Sequence, residues 1–348
     1  MNITISSAVL LLSALAFGFT NSCAQSKPLF PVLKNNPMGE ESCRTGFIDE
    51  EGNLQIDFKF YYATEFSDGI SAVLLTKGGK WGYVDETGNF IIEPQFDEAS
   101  NFSNGLAKVS KDGNSFFITK DGKNAFDTSL FLLGFSEGLS PAKLLGKWGF
   151  VNQVGKVTIP FKFQSANPFY ENLSAVTQNN LVGYIDKSGN WVIPPRFSLM
   201  LNYTDPLFLP NFSEGLAVYR DKDKYGFINS NGIIVIPATF HRAERFSEGL
   251  ALVNLNEKVG YLKKDGQYAI EPKFESGQSF SDGLASVRID GKWGYVDKVG
   301  RIQIQPQYDS PEHFKNGLAK VTKYNERDGS TTISYINRSG KLIYSWEQ

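Results

Sequence analysis

The stretch that decides the fold of this chain runs from Lys80 to Val109 and reads KWGYVDETGNFIIEPQFDEASNFSNGLAKV. Close variants of it recur about every 34 residues from Thr45 to the C-terminus, and self-similarity at such a period indicates a tandem repeat. Because one copy is too short to bury its own apolar side chains, neighbouring copies must pack against one another. The repeat therefore sets the fold class.

A tight turn follows the first strand of every copy. Asp85 stands three positions before Gly88, and this spacing is typical of a type I turn followed by a left-handed residue. We predict that the glycine of this turn joins the two strands of a hairpin in each copy. These structural turn glycines are Gly52, Gly88, Gly122, Gly155, Gly189, Gly232, Gly266, Gly300 and Gly340.

The strand before each turn carries an aromatic residue and then an aliphatic one, as in Tyr83-Val84. Adjacent strand residues point to opposite faces of a sheet, so both faces of this strand need cover. A β-branched run follows the turn and usually stops at a proline such as Pro94, which suits a strand end or edge. Each copy then has an F-S-x-G turn and a third short strand. At least two glycines and usually a proline per copy argue against helices of the same period.

The chain resembles the WG-repeat proteins, a bacterial family named for the Trp-Gly pair in G-K-W-G-[FY]-[VI]-[DN]. The matching pairs are Trp81-Gly82, Trp148-Gly149 and Trp293-Gly294, and the resemblance covers about Thr45 to Trp346. It implies a β-rich repeat module without an established catalytic activity. No family site residues follow from it.

We therefore predict an all-β repeat domain over residues 44–348, with eight to nine three-stranded antiparallel repeats of about 34 residues each. Two arrangements fit the pattern: an open superhelical or solenoid array, and a closed ring resembling a β-propeller. The open array is the favoured prediction. Nine hairpins against eight GLA strands leave no obvious half-repeat to complete a ring, and the period is short for a four-stranded blade.

The N-terminus has the pattern of an export signal. Residues 1–24 contain no charged side chain, and the apolar run Ala8–Phe19 is shorter than the ~20 residues that span a bilayer. Either cleavage after Ala24 or lipidation of Cys23 fits the sequence. Residues 25–43 read as a flexible tether. We expect an exported protein, in the periplasm or held at the outer membrane or cell surface as a lipoprotein, with a secreted soluble protein as the alternative.

The sequence offers little for catalysis. A net charge of −2 gives no basic footprint for nucleic acid. His241 and His313 lie in separate repeats without ligand partners nearby, and both read as loop residues, so we predict no metal site. No motif for a cofactor appears, and the recurring carboxylates fit turn positions. We expect no enzyme activity; a hydrolase is the remote alternative.

We accordingly expect a non-catalytic binding or scaffold protein of the cell envelope that presents its repeat surface to a protein partner. The alternative ligand is a glycan, either envelope polysaccharide or peptidoglycan, and contact with the membrane is expected only through a lipid anchor. The Trp columns fit ligand stacking or inter-repeat core, and the insertion Ser198–Asn211 fits either a partner-binding loop or a cover for the core. The candidate ligand-binding residues are Trp81, Trp148, Trp191, Trp293, Tyr203 and Phe208.

Overall fold

The repeat folds as a small antiparallel sheet. A computed structural model describes residues 27–34, 43–127, 130–199, 210–325 and 327–347, and in these ranges the chain forms nine such sheets, here called blades. Blades 1 and 6 have three strands and the other seven have four. Within the same ranges, no helix has the length and hydropathy that would let it span a bilayer.

The strands follow one another in space as they do in sequence, and every neighbouring pair within a blade is antiparallel. Blades 1 to 3 comprise β1 Phe30–Lys34, β2 Arg44–Ile48 and β3 Leu54–Phe60; β4 Tyr62–Ala63, β5 Ile70–Leu74, β6 Trp81–Asp85 and β7 Phe90–Phe96; and β8 Glu98–Ala99, β9 Leu106–Lys111, β10 Asn114–Thr119 and β11 Asn124–Asp127. Blades 4 to 6 comprise β12 Phe131–Leu132, β13 Leu139–Leu144, β14 Lys147–Asn152 and β15 Val157–Phe163; β16 Ser165–Ala166, β17 Ser174–Gln178, β18 Leu181–Ile185 and β19 Trp191–Ser198; and β20 Leu216–Asp221, β21 Lys224–Asn229 and β22 Ile234–Phe240. Blades 7 to 9 comprise β23 Arg242–Ala243, β24 Leu250–Leu255, β25 Lys258–Lys263 and β26 Tyr268–Phe274; β27 Ser276–Gly277, β28 Ala285–Ile289, β29 Lys292–Val296 and β30 Ile302–Tyr308; and β31 Ser310–Pro311, β32 Leu318–Tyr324, β33 Thr331–Asn337 and β34 Leu342–Glu347.

The turn after the aromatic-aliphatic pair has the geometry that its spacing indicates. Gly88 donates its N–H to the carbonyl of Asp85 at 2.9 Å, and Asp85 Oδ1 accepts the backbone N–H groups of Thr87 and Asn89 at 2.9 and 3.0 Å. The nine turn glycines all have φ between 75° and 90°, a range that residues with a Cβ rarely adopt. Where Asp or Asn stands first in the turn, its side-chain oxygen and the glycine together fix the hairpin, as at Asn152.

The glycine of the Trp-Gly pair has a separate cause. At Gly82 an added Cβ would lie 2.8 Å from both Ile92 O and Pro94 N, because the next strand bulges toward it. Pro94 thus lies inside the outermost strand β7 and not at its end, where the sequence pattern placed it. A proline is tolerated in β7 because this strand lies at the edge of the sheet, where no further strand needs a hydrogen bond from the N–H that proline lacks.

Each sequence repeat is divided between two blades. The aromatic residue before the turn belongs to one blade, and it packs on the F-S-x-G phenylalanine of the next blade. Eight such pairs have ring centroids 4.8 to 5.8 Å apart: Phe47–Phe66, Tyr83–Phe102, Phe117–Phe135, Phe150–Phe169, Tyr184–Phe212, Phe227–Phe246, Tyr261–Phe280 and Tyr295–Phe314. Covering both faces of the central strand therefore requires both neighbouring blades.

The nine blades close into a ring of β-propeller type, so the favoured prediction of an open array is wrong and the closed alternative is correct. Blade 9 packs on blade 1 through the rings of Tyr335 and Phe30, whose centroids are 5.6 Å apart. The hydroxyl of Tyr335 donates to Pro31 O at 3.3 Å, and Lys315 Nζ lies 2.6 Å from Glu65 Oε2 across the junction. The two ends of the chain thus share one apolar cluster.

The half-repeat that the sequence pattern did not reveal comes from the N-terminus. Strand β1 pairs with β2 as a GLA strand pairs with its Trp-Gly strand elsewhere, and Val32 is completely buried. A flexible tether is therefore the wrong description of Phe30–Lys34. The predicted signal peptide, with Cys23 and Ala24, and residues 35–42 of the predicted tether lie outside the described residues, as do residues 200–209 of the insertion.

Replacing Phe30 tests the closing contact. We expect Phe30→Ala to lower the free energy of unfolding by about 3 kcal/mol, since it removes a buried ring from the blade 1–blade 9 interface. The exposed Leu342, on the outermost strand of blade 9, provides the control Leu342→Ala, which should change it by less than about 0.5 kcal/mol. Urea denaturation measures both values, and equal losses in the two variants would contradict the closure.

Candidate binding cavity on the ring axis

A cavity of about 1270 Å³ lies where the blades converge. The F-S-x-G turns of successive blades bond directly to one another, which brings these turns together around the axis of the ring. The residues that line the cavity belong to blades 1, 2 and 6 to 9 and to the segment Lys27–Leu29 that leads into β1. Most of them stand just before or within an F-S-x-G turn.

Three polar residues occupy one repeat position in the last three blades. Arg245, Ser279 and His313 each directly precede the phenylalanine of an F-S-x-G turn, and each lines the cavity. The preceding residue is acidic at Glu65 in blade 2 and uncharged at the same position in blades 3 to 6, namely Asn101, Gly134, Pro168 and Asn211. The charged residues at this position therefore lie on one side of the ring.

Ion pairs organise most of the charges in the cavity. Lys315 pairs with Glu65 at 2.6 Å, and Lys320 Nζ lies 2.7 Å from Glu312 Oε1. Arg245 has no hydrogen bond or ion pair within the described chain, so its guanidinium is free to bind an incoming carboxylate or carbonyl oxygen.

Hydrogen bonds between successive F-S-x-G turns form a collar at six of the blade junctions. The residue before the glycine position adopts the left-handed region, and in these six turns its carboxylate accepts the backbone N–H of the residue at the glycine position of the next blade. These bonds join Asp68 to Gly105, Glu137 to Asn172, Glu171 to Gly215, Glu214 to Gly249, Glu248 to Gly283 and Asp282 to Gly317, at 2.7 to 3.1 Å. The collar is a rigid frame for the lining residues.

Hydroxyl groups add a second link between blades. Ser247 Oγ donates to Phe280 O at 2.7 Å, and four other F-S-x-G serines make the same contact. Tyr261 Oη donates to Gln278 O at 2.8 Å, directly beside the cavity-lining Ser279. Burial raises the pKa of the Tyr261 phenol far above its usual value, so the group remains a neutral donor. The lining residues are thus positioned by buried contacts behind them.

The predicted Trp residues lie elsewhere. Trp148 is only 1% exposed, beneath Phe131 with ring centroids 5.9 Å apart, and so offers no face to a ligand. Trp81, Trp191 and Trp293 are half-buried in the clusters between blades, and none of the four lines the axial cavity. Their surroundings are those of inter-blade core. Tyr203 and Phe208 lie outside the described residues.

Sequence reasoning missed Arg245, Ser279 and His313 as a group. The signal was present, because the column before the F-S-x-G phenylalanine varies widely while its neighbours repeat. His313 in particular was interpreted as an ordinary loop residue, yet it lines the cavity. Among the residues that the structure describes, no cluster of His, Cys, Asp or Glu has the composition to hold a metal ion.

The sequence matches the model of the WG containing repeat at residues 46–81, 81–114, 148–181, 183–225, 225–258, 260–293 and 293–326. These matches cover more than half of the chain, and the protein therefore belongs to the WG-containing repeat family. This confirms the resemblance seen in the Trp-Gly pairs. No curated protein matches the chain in sequence.

Solved structures with a related shape share almost no sequence with this chain. Kluyveromyces lactis Hsv2p is 9% identical, with a TM-score of 0.39, and the match covers 81% of this chain and 97% of that one. A quinonprotein alcohol dehydrogenase-like protein from Bacteroides thetaiotaomicron is 10% identical, with a TM-score of 0.36 and coverages of 93% and 89%. PorZ of Porphyromonas gingivalis is 8% identical, with a TM-score of 0.33, over 83% of this chain and 45% of that one. Scores this low carry no functional argument.

Acidification tests the collar. Burial alone would raise the pKa of Glu214, but hydrogen bonds from Lys264 and from the Gly249 N–H outweigh it and hold that pKa below its usual 4.5. Its contribution to the free energy of unfolding is therefore full above pH 4.5 and is lost as the pH falls through the lowered value. We expect Glu214→Gln to lower the free energy of unfolding by about 1 kcal/mol or less at neutral pH. On acidification, the free energy of unfolding of this variant should fall less than that of the wild type.

Denaturation at a series of pH values measures this difference. Glu257→Gln, at an exposed hairpin tip outside the collar, is the control and should follow the wild-type curve. If Glu214→Gln also followed the wild-type curve throughout, the carboxylate would not contribute to the collar.

Proposed function

We propose that this protein is a non-catalytic binding or scaffold protein of the cell envelope, and that its axial cavity holds a segment of a protein partner. The cavity of about 1270 Å³ is the observation that carries the proposal. It is larger than the roughly 300–1,000 Å³ of ordinary small-molecule pockets, and it has room for a polypeptide loop or terminus.

The chemistry of the lining supports a polypeptide ligand. Arg245 supplies a free cation. The Ser279 hydroxyl donates to Glu244 Oε2 at 2.8 Å and still offers its oxygen lone pairs to a peptide N–H. Gln278 Oε1 accepts from Ser286 at 2.7 Å, which leaves the amide NH2 to donate to a peptide carbonyl. The lining residues lie on a frame of buried contacts, so they require little reordering when a ligand binds. This is the arrangement expected of a preorganised binding surface.

The non-catalytic part of the proposal rests on how the recurring carboxylates are used. Asp85 and Asp186 accept backbone N–H groups within their turns, and Glu214 and Glu248 bond to the next blade. Each of these carboxylates thus has a structural partner and a structural role. A hydrolase would need a pair of carboxylates released from such contacts and facing a substrate.

The envelope location rests on the sequence of residues 1–24. An uncharged, apolar N-terminal segment of this length is typical of an export signal. Cys23 as a lipid attachment site and cleavage after Ala24 remain the two routes of processing. The first gives a lipoprotein of the envelope, and the second gives a soluble periplasmic or secreted protein.

A second candidate function, glycan binding, has one specific feature in its favour. Tyr62 is half exposed, and its ring lies edge-on to the half-buried ring of Trp81 with centroids 5.7 Å apart. Exposed aromatic rings of this kind can stack on sugars. An equivalent pair, Phe131 on Trp148, occurs in blade 4, and neither pair lies in the axial cavity, so the protein-partner proposal has the broader support.

Retention of envelope proteins by the immobilised protein tests the main proposal. We expect Arg245→Ala combined with His313→Ala to lose at least about tenfold in the amount of one specific partner, since both side chains line the cavity. Arg301→Ala combined with His241→Ala removes the same two residue types from exposed positions outside the cavity and should retain the partner.

Retention by both double variants alike would contradict the cavity as the binding site. A glycan array run beside it addresses the second candidate. Glycan binding that Tyr62→Ala abolishes and the cavity variant leaves intact would replace the protein-partner proposal.

A further inference from the structure

One hairpin tip has a leucine where the equivalent tips of other blades have a polar residue. Strands β13 and β14 are joined by Leu145-Gly146, and Leu145 has a φ of 47° and is 96% exposed. Leucine is disfavoured in this left-handed region, which Asn, Asp and Gly tolerate far better. The first tip residue is polar in the other two-residue tips between the equivalent strands: Asp112, Asn179, Lys222, Asn256 and Asp290. Leu145 therefore lowers the stability of the fold in two ways: its backbone is strained, and its apolar side chain is exposed to water.

Further apolar surface surrounds this leucine. Leu144, the preceding residue, is 42% exposed, and Phe131 on the neighbouring strand β12 is 53% exposed. The ring of Phe131 is supported from below by Trp148. The register puts Phe131 on one face of blade 4 and Leu144 on the other, with Leu145 at the turn between the two strands. These three exposed side chains at one end of blade 4 are here called the leucine tip.

The charges beside the leucine tip are also unusual. In blades 2 and 8 the lysine before the Trp-Gly pair is neutralised, Lys80 by Asp97 and Lys292 by Asp309. In blade 4 the residue at the position of those aspartates is Gln164, whose side chain bonds to Asn180 instead. Lys147 therefore has no ion-pair partner within the described chain.

A second lysine flanks the tip on the other strand. Lys143 lies over the ring of Trp148, with Nζ 5.7 Å from the centroid, and forms no ion pair with any described residue. The tip K-L-L-G-K thus presents two exposed leucines between two unneutralised cations. Lys224 and Lys258 at the same position in blades 6 and 7 also have no carboxylate partner within the described chain, so blade 4 is distinguished by the combination of free lysines with exposed leucines.

We propose that the leucine tip docks on an anionic lipid surface, with Leu144, Leu145 and Phe131 entering the interfacial region and Lys143 and Lys147 contacting the headgroups. Apolar side chains flanked by lysines are the chemistry that such surfaces bind. A surface of three side chains is much smaller than the roughly 1,000 Å² that a stable protein interface needs. Binding to a bilayer requires no such minimum area, because the lipids rearrange around the inserted side chains.

This contact is independent of any lipid at Cys23. Strand β1 pairs Phe30 with Ile48, at the end of the blade where the D-x-x-G turns lie, whereas the leucine tip lies at the opposite end of the strands. The two membrane contacts can therefore be measured separately. A chain that begins at Gln25 carries every described residue and no lipid.

Flotation of this chain with lipid vesicles tests the proposal. We expect binding to an equal mixture of phosphatidylcholine and phosphatidylglycerol and little binding to phosphatidylcholine alone. Leu145→Asn should weaken binding roughly tenfold or more, because one buried leucine is lost from the lipid. Asparagine suits the left-handed backbone, so this variant should fold at least as stably as the wild type. Lys143→Gln and Lys147→Gln should each weaken binding about fivefold.

Lys222→Gln is the matched control, because it removes a cation from the equivalent tip of blade 6 and should leave binding unchanged. Failure of the wild-type chain to bind the anionic vesicles would overturn the proposal and leave the tip as a contact for another protein. Binding that falls with the lysine variants but not with Leu145→Asn would also overturn it, since insertion would then play no part.

Discussion

Every interface between blades depends on one contact between two aromatic rings. The residue before the D-x-x-G turn packs on the phenylalanine of the next F-S-x-G turn, as Tyr261 does on Phe280 at 4.9 Å. Edge-on and tilted pairs at such distances add to the free energy of burial. Because the two rings of a pair belong to successive blades, no blade has a complete core of its own. Each blade therefore needs its neighbours for stability, and the first and last blades obtain theirs from each other.

The same contact explains how the ring closes. Blade 1 has no F-S-x-G turn within the described chain, so Tyr335 of blade 9 would face an empty position. Phe30 fills that position, and strand β1 supplies the missing strand of blade 1. The connection from the last blade to the first is thus made by a segment that precedes the repeats in sequence. The lining of the axial cavity is completed by the residues that lead into this strand.

The repeat made much of this fold predictable. Strands, turn glycines and the family all follow from columns that recur, because a recurring environment demands the same residue each time. Closure was not predictable in this way, since Phe30–Lys34 shares no repeat signature and lies in a proline-containing segment. The Trp-Gly column was visible, yet its glycine is explained only by the close approach of a bulged strand at Gly82.

At the candidate site, in contrast, the recurring columns did not predict the residues that line the cavity. Trp148 recurs as a column because it fills the same inter-blade space as its equivalents, and its burial excludes ligand stacking. Arg245 and His313 line the cavity and lie in a column that varies from blade to blade. In a repeat protein the constant columns build the frame, and the variable columns next to them are free to acquire function. The charged side of the cavity and the leucine tip both arise at such variable positions.

Chemical cross-linking of Lys315 to Glu65 tests ring closure most directly. These residues are 250 positions apart in sequence, and Nζ lies 2.6 Å from Oε2 only because blade 9 reaches past blade 1 to blade 2. A zero-length carbodiimide reagent should join them within a monomer, and mass spectrometry of the digest should find the linked peptides. Lys292 and Asp309, paired within blade 8, are the internal control. Linkage of the control pair without linkage of Lys315 to Glu65 would show that the array is open and would contradict the ring.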